Sequence, residues 1–415
     1  ERLVLCLFRN SIKPFIIERR KERGTMSEMS FPEPDVPVGT TPADELKERI
    51  DAGEEVSILD TRARSEYGSW AIDAPNVTDA NVPYFEFLDG VTDDLLEQVP
   101  DDDDLVVVCA KGKSSEFVAG ELNDAADYDA TNLGDGMQGW ARVYEHTDVE
   151  LGGVTVRQYR RPSSGCLAYM AYADGEAVVV DPLRAFTDRY VDDAEQLGVE
   201  ITTVLDTHVH ADHISGARTL ADAADARLVL PEDAVARGIE YDAEYDTVAD
   251  GDAITVGDSV VEAIATPGHT SGMTSFLVDG EMVLTGDTLF VDSVARPDLE
   301  EGDEGAPDAA AQLYETLQER LLALPDDTLV GAAHFGGCTP QRDDGTYLAP
   351  IGDIAEAVSL LSLDEASFVE EVLDDMPPRP ANYEDIIATN LGQQSATDAE
   401  AFELELGPNN CAASE

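Results

Sequence analysis

The sequence predicts an α/β protein built in two parts, and three observations predict it. In the first part, short apolar strands alternate with helical patterns, which reads as a parallel sheet. In the second, a series of short strands is separated by Asp/Gly turns and flanked by helices. Within that second part, three of the protein's six histidines fall in Thr207-His208-Val209-His210-Ala211-Asp212-His213. Histidine and carboxylate at this density are costly to bury unless something pairs with them, and a metal ion is the simplest partner.

The 415-residue length suggests two to three domains, and 43% hydrophobic residues can bury real cores. The formal charge is -61, from 87 acidic against 26 basic residues. Self-repulsion of that size destabilises a compact chain at low salt. It reads as adaptation to a cytoplasm of concentrated salt, where the screening length shrinks to roughly 3 Å at 1 M. The same charge argues against nucleic acid or an anionic membrane as partner. Five scattered cysteines form no disulfide framework and no CxxC site, which fits a reducing, cytoplasmic setting. No apolar run reaches the ~20 residues of a membrane span. The oligomeric state is open, a homo-oligomer included.

Taken in order, residues 1–25 are basic, with Arg2, Arg9, Lys13, Arg19, Arg20, Lys21 and Arg23, unlike everything after them. They read as sequence upstream of a start at Met26 or Met29. An extended linker, 31–37, follows. A first domain is expected over 38–148. It opens with a helix over 41–52, Thr41 as N-cap and Pro42 at the first helical position. A short strand over 56–60 ends on Asp60. A buried strand over 105–109 ends on Cys109, and the loop Ala110-Lys111-Gly112-Lys113-Ser114 leads into a helix carrying Phe117, Val118 and Leu122. Ligands bind at that edge of an open α/β sheet. Loop amides and the helix N-terminus favour a thiolate at Cys109, with Lys111 and Lys113 adding positive charge. The bland alternative is a buried structural cysteine.

A second domain is expected over 150–415. Paired strands lie at 167–170 and 177–181, a helix at 187–197, and a strand at 203–206 leads into the histidine motif. Further strands are expected at 228–230, 253–256, 260–265, 275–278 and 282–285, with helices at 309–324 and from 354 onward. Three later segments, Thr266-Pro267-Gly268-His269, Thr285-Gly286-Asp287 and Gly331-Ala332-Ala333-His334, each run through small residues into a ligand-type side chain. Only His146 lies outside this set.

The first part resembles a rhodanese domain. Cys109-Ala110-Lys111-Gly112-Lys113-Ser114 is similar to that family's sulfur-carrying loop. Asp60-Thr61-Arg62, Asn81-Val82-Pro83 and Gly134-Asp135-Gly136-Met137-Gln138-Gly139-Trp140 fall where it has its Asp-x-Arg, Asn-x-Pro and glycine-rich stretch before Trp. The resemblance implies a persulfide on Cys109, with Asp60, Arg62, Lys111, Gly112 and Lys113 completing the site. Ser114 stands where the family often has a loop-closing Arg, and Gly68-Ser69-Trp70 replaces its Gly-His-Ile.

The second part resembles the metallo-β-lactamase fold, which implies two packed sheets with helices outside and metal at one edge. Gly286-Asp287-Thr288-Leu289-Phe290 followed by Ala295-Arg296-Pro297-Asp298-Leu299, with Pro377-Pro378-Arg379-Pro380-Ala381-Asn382-Tyr383 and Gly407-Pro408-Asn409-Asn410-Cys411, is similar to the persulfide dioxygenase branch. That resemblance implies one Fe(II) held by His208, His269 and Asp287, the two-histidine, one-carboxylate triad of non-haem iron. His210, Asp212, His213 and His334 are then second shell or a second metal's ligands, and Arg296 with Asp298 holds the substrate. Phe335-Gly336 stands where some relatives have a tyrosine that contacts the thiol. The partners implied are a small thiol persulfide, a sulfane sulfur donor and O2. The alternative is a glyoxalase II-type thioester hydrolase with two Zn2+.

Overall fold

The computed structural model describes residues 34–413 except 103, 127, 375, 408 and 410. The basic run, both candidate start methionines and the beginning of the linker lie outside the described residues.

Three sheets organise the chain. The first is parallel throughout, in the order Gly39–Thr41, Thr131–Leu133, Leu105–Val108, Val56–Asp60, Val77–Asn81. Its central strands, Val56–Asp60 and Leu105–Val108, are buried on both faces because helices cover both. Ala43–Asp51 and Gly136–Trp140 bury Leu46, Met137 and Trp140 on one side. Lys113–Ala125 buries Phe117, Val118 and Leu122 on the other. The helix expected from an N-cap at Thr41 starts later, at Ala43, because Thr41 is the last residue of an edge strand. Its hydroxyl bonds Thr131 Oγ1 on the neighbouring strand at 2.6 Å rather than capping the helix.

The other two sheets pack face to face. One has seven strands, running from Asp246–Val248 through Arg227–Pro231, Glu200–Leu205, Glu176–Val180, Cys166–Ala173 and Thr155–Arg161 to Glu145–Glu150. The second has six, from Ala253–Val256 through Ser259–Ala265, Thr274–Val278, Met282–Gly286 and Leu329–Ala332 to Ala349–Pro350. Tyr169, Val178, Leu205, Phe276, Met282 and Leu284 interdigitate between them. Helices Thr187–Leu197 and Ala217–Ala224 cover the outer face of the first. Gly302–Thr316, Ile351–Ala357 and Glu365–Asp374 cover the second. This is the expected αββα sandwich.

Two readings of local structure change. Glu145–Glu150 and Thr155–Arg161 form an antiparallel edge pair that the sequence pattern hides. Edge strands carry charge, here Glu145, Asp148 and Glu150, and charge masks the apolar alternation. The helix expected from 309 starts at Gly302 and runs through Pro307. Ala306, Ala310 and Leu313 bury a continuous face that holds the turn around Pro307 in the helix. Beyond these layers, Tyr383–Asn390 and Asp398–Leu404 fold back over the sandwich. Ala413 then donates its N–H to Val294 O. Among the described residues no helix is long and apolar enough to cross a membrane.

Candidate metal centre

The ligand-type residues converge where strands of both sandwich sheets end. Asp181 follows Glu176–Val180, Asp206 follows Glu200–Leu205, and Asp287 follows Met282–Gly286. Two glycines make the turns possible. At Gly286, φ is +52°, and a Cβ would sit 2.5 Å from Thr207 Oγ1. At Gly268, just before His269, φ is +141°, and a Cβ would lie 2.5 Å from Leu313 Cα. Neither position accepts a side chain.

His208, His269 and Asp287 form one compact group, with all three side chains buried. Asp287 Oδ2 lies 3.6 Å from His208 Nε2 and 3.5 Å from His269 Nε2. The rings are oriented from behind. His269 Nδ1 donates to Arg296 O at 2.9 Å. His208 Nδ1 donates to Thr207 Oγ1, which itself donates to Asp181 Oδ2. Both Nε2 lone pairs are thus turned inward, as a metal requires. His208 Nε2 and Asp287 Oδ2 are buried with no hydrogen-bond partner, a costly arrangement that a cation would relieve. Burial, then the neighbouring His210, keeps the His208 imidazole neutral by lowering its pKa well below the usual range. Burial lowers that of His269 as well.

The remaining motif residues do different work. His210 Nε2 turns away to Asp181 Oδ1 at 3.1 Å and lies 3.9 Å from Asp206 Oδ1. His334 bridges Asp287 and Asp212, with Nδ1 2.7 Å from one carboxylate and Nε2 2.9 Å from the other. Burial works against its cation, but the two carboxylates outweigh it and lift its pKa well above the usual range. Asp212, His213 and His334 gather with Cys166 into a second ligand-type group. Cys411 closes on Asp212, Asp287 and His334 from the other side.

Sequence reasoning missed Asp181, Cys166 and Asn390. Asp181 adopts φ of +53° and accepts from Thr207 N and Oγ1. Asn390 reaches from the C-terminal helices, donates to His210 O and His213 O, and accepts from Ser215 N. The only available signal was Asp181 at a strand end; Asn390 carries none. Arg296, expected to hold the substrate, is fully buried. Its Nε and Nη2 grip Asp298 at 2.7 and 3.1 Å, and Nη1 donates to Pro378 O. It therefore braces the wall behind His269 and presents no free edge to a ligand.

In the parallel-sheet part, Cys109 is buried at the end of Leu105–Val108, and Ser115 Oγ lies 3.0 Å from its sulfur. Gly112 holds φ of +78° at the start of the following helix. The glycine-rich stretch clamps the loop: Met137 N donates to Cys109 O and Gln138 N to Ala110 O. Lys111 and Lys113 are exposed, and Lys111 Nζ meets Glu403 of the C-terminal helices at 2.9 Å. Asp60 and Arg62 pair with each other under the loop, and Arg62 also donates to Trp70 O. Trp70 Nε1 in turn donates to Ser163 O, three residues before Cys166.

A buried two-histidine, one-carboxylate group at the shared edge of an αββα sandwich defines a metal-dependent protein of metallo-β-lactamase type. A metallo-beta-lactamase superfamily model matches residues 162–334, and a rhodanese-like domain model matches 42–143. The chain belongs to the metallo-β-lactamase superfamily and carries a rhodanese-like domain ahead of it. Among its relatives, the persulfide dioxygenase ETHE1 of Bos taurus is 32% identical over 198 residues, 46% of this chain and 72% of that protein. The human protein of the same name is 32% identical over 188 residues, 44% of this chain and 68% of that protein. The hydroxyacylglutathione hydrolase of Maricaulis maris is 35% identical over 164 residues, 39% of this chain and 57% of that protein. A metallo-beta-lactamase structure from Staphylococcus aureus superposes with a TM-score of 0.54 at 24% identity, covering 59% of this chain and 74% of that one. That last likeness is one of fold.

Proposed function

We propose that this protein oxidises a low-molecular-weight thiol persulfide with O2, giving sulfite and the free thiol, at one ferrous iron held by His208, His269 and Asp287. The balance is RSSH + O2 + H2O → RSH + H2SO3. The observation that carries the reading is the sorting of the histidines. His208, His269 and Asp287 converge, whereas His210, which a two-zinc site needs beside them, is bonded to Asp181. Relatives named persulfide dioxygenase support it.

Ferrous iron held by His208, His269 and Asp287 would supply the redox chemistry that ground-state O2 needs to react with a persulfide. The chain's own groups do the rest. Thr207 Oγ1 and the Arg296 carbonyl fix both rings with Nε2 inward. Asp287 gives one oxygen to the metal position and the other to His334. His334 holds a proton between Asp287 and Asp212, beside the reacting atoms. Leu299, Phe290 and Ala332 exclude bulk water.

The same proposal assigns Cys109 to sulfur transfer. Its thiolate attacks the outer sulfur of a sulfane donor such as thiosulfate, forming the Cys109 persulfide and releasing sulfite; the small thiol's thiolate then takes that outer sulfur and frees the Cys109 thiolate. Gly112 and Lys113 open the helix that stabilises the charge, and Lys111 adds a surface cation. Asp60 and Arg62 pair with each other and Arg62 holds Trp70 O, so their part is structural support at the neighbouring strand end. The acidic composition fits a salt-rich cytoplasm.

Anaerobic reconstitution with Fe(II), then O2 uptake and sulfite release on glutathione persulfide, tests the reading. It fails if the iron-loaded protein takes up no O2. One observation favours a second reading: Asp212, His213 and His334 gather where a second metal would sit. Two zincs per chain, with hydrolysis of a lactoylated thiol, would establish that thioester hydrolase instead.

A further inference from the structure

Ser115 lies in the first turn of the helix Lys113–Ala125 and is fully buried. Its hydroxyl stands between two groups, Cys109 Sγ at 3.0 Å and Asn132 Oδ1 at 2.6 Å. Asn132 is buried as well, on the strand Thr131–Leu133. A hydroxyl has one proton to give, and an amide oxygen only accepts. The three groups therefore have two arrangements. With Cys109 as a thiol, its S–H donates to Ser115 Oγ, which donates on to Asn132 Oδ1. With Cys109 as a thiolate, Ser115 turns its proton to the sulfur and Asn132 Oδ1 goes without. A hydrogen bond to an ion is about twice as strong as one between neutral groups, so charge on the sulfur wins the proton.

Charge comes and goes on Sγ during sulfur transfer. In loading, the Cys109 thiolate bonds to the outer sulfur of thiosulfate, sulfite leaves with the electron pair of the broken S–S bond, and the negative charge moves from Sγ to the new outer sulfur. In release, an acceptor thiolate bonds to that outer sulfur. The Sγ–S bond breaks, its electron pair stays on Sγ, and the acceptor carries the sulfur away as its own persulfide anion. Charge thus arrives at the atom that Ser115 faces in release and departs from it in loading. An interaction that strengthens only as charge develops accelerates the step that develops it. A better stabilised thiolate is also the faster leaving group in such exchanges. Ser115 therefore favours release over loading, and Asn132 opposes it by competing for the same proton.

Resting on the sulfur-transfer assignment of Cys109 above, we propose that Ser115 is a catalytic residue of sulfur release: its hydroxyl swings from Asn132 to Cys109 Sγ as the persulfide gives up its outer sulfur. Asn132 is a positioning residue that holds the hydroxyl back while Sγ is uncharged.

Single-turnover kinetics on the full chain separate the two steps: sulfite released from thiosulfate reports loading, and thiocyanate formed from cyanide and preloaded protein reports release. Ser115→Ala should slow release by about tenfold or more, the size of one hydrogen bond to an ion. Its loading in alkaline buffer, where thiols are ionised, should be unchanged or faster. Asn132→Leu, similar in volume, leaves the hydroxyl to the sulfur alone and should speed release. Iodoacetamide labelling of Cys109 near neutrality, read by mass spectrometry, should move in the same two directions, slower in Ser115→Ala and faster in Asn132→Leu. Damage to the fold would slow both variants alike. Equal slowing of loading and release in Ser115→Ala, or slower release in Asn132→Leu, overturns the proposal and leaves the sulfur-transfer reading standing. A wild type that loads no sulfur from thiosulfate or glutathione persulfide removes that reading and the release role with it. Labelling rates that still move in opposite directions would then keep the pair as the groups that govern the Cys109 thiolate.

Discussion

At the residue scale, the centre is a set of orientations as much as a set of ligands. His208, His269 and Asp287 can only converge because Thr207, Arg296 O and His334 hold their other atoms. Asp287→Ala removes the sole carboxylate of the triad, so iron retained after desalting should fall to background, as atomic absorption would show. Asn390 touches no metal position but ties His210 O and His213 O to the C-terminal helices. Loss of such an outer support costs about 10–100-fold in metal affinity. A competitive chelator titration of Asn390→Ala should show a loss of that order, with the fold intact by circular dichroism. The ligand-type residues were legible because histidine is scarce here and its spacing is distinctive, whereas the choice of triad among them came from the resemblance to the persulfide dioxygenase branch. Asp181 and Asn390 were not, because aspartate is everywhere in this chain and Asn390 meets the motif only through the fold.

At the element scale, the sulfur loop and the domain junction depend on close backbone approach. Gly136 has φ of +56°, and a Cβ there would lie 2.1 Å from Cys109 O. Gly136→Ala should cost at least ~1 kcal/mol of stability and displace the cysteine loop. Thiosulfate-dependent sulfur transfer should drop while O2 uptake persists; parallel loss of both would argue against separate sites. At the junction, Arg161 donates to Ala141 O and pairs with Glu405 at 2.9 Å, both side chains 1% exposed. Arg161→Ala strands the buried Glu405 carboxylate, which costs about 3–5 kcal/mol. Urea unfolding should show that loss, while Arg161→Met with Glu405→Leu should recover much of it. Strands inside the sandwich were readable from apolar runs. The edge strand Glu145–Glu150 and the first turns of Gly302–Thr316 were not, since charge and proline mask patterns that tertiary contacts maintain.

At the scale of the whole molecule, a formal charge of -61 must be screened for the layers to stay packed. The screening length falls from about 10 Å at 0.1 M salt to about 3 Å at 1 M. The thermal midpoint should therefore climb steeply across that range of KCl, and a flat profile would remove the salt-adaptation reading. Sequence alone determined the two-part architecture, the cysteine loop and the identities of the metal-type residues, because those follow from local periodicity and from rare residue types at fixed spacing. Only the tertiary structure decided which histidines converge and that Arg296 is walled in against Asp298. Those facts depend on which strand ends and returning helices meet in space. Spacing along a chain does not encode the direction in which a side chain finally points.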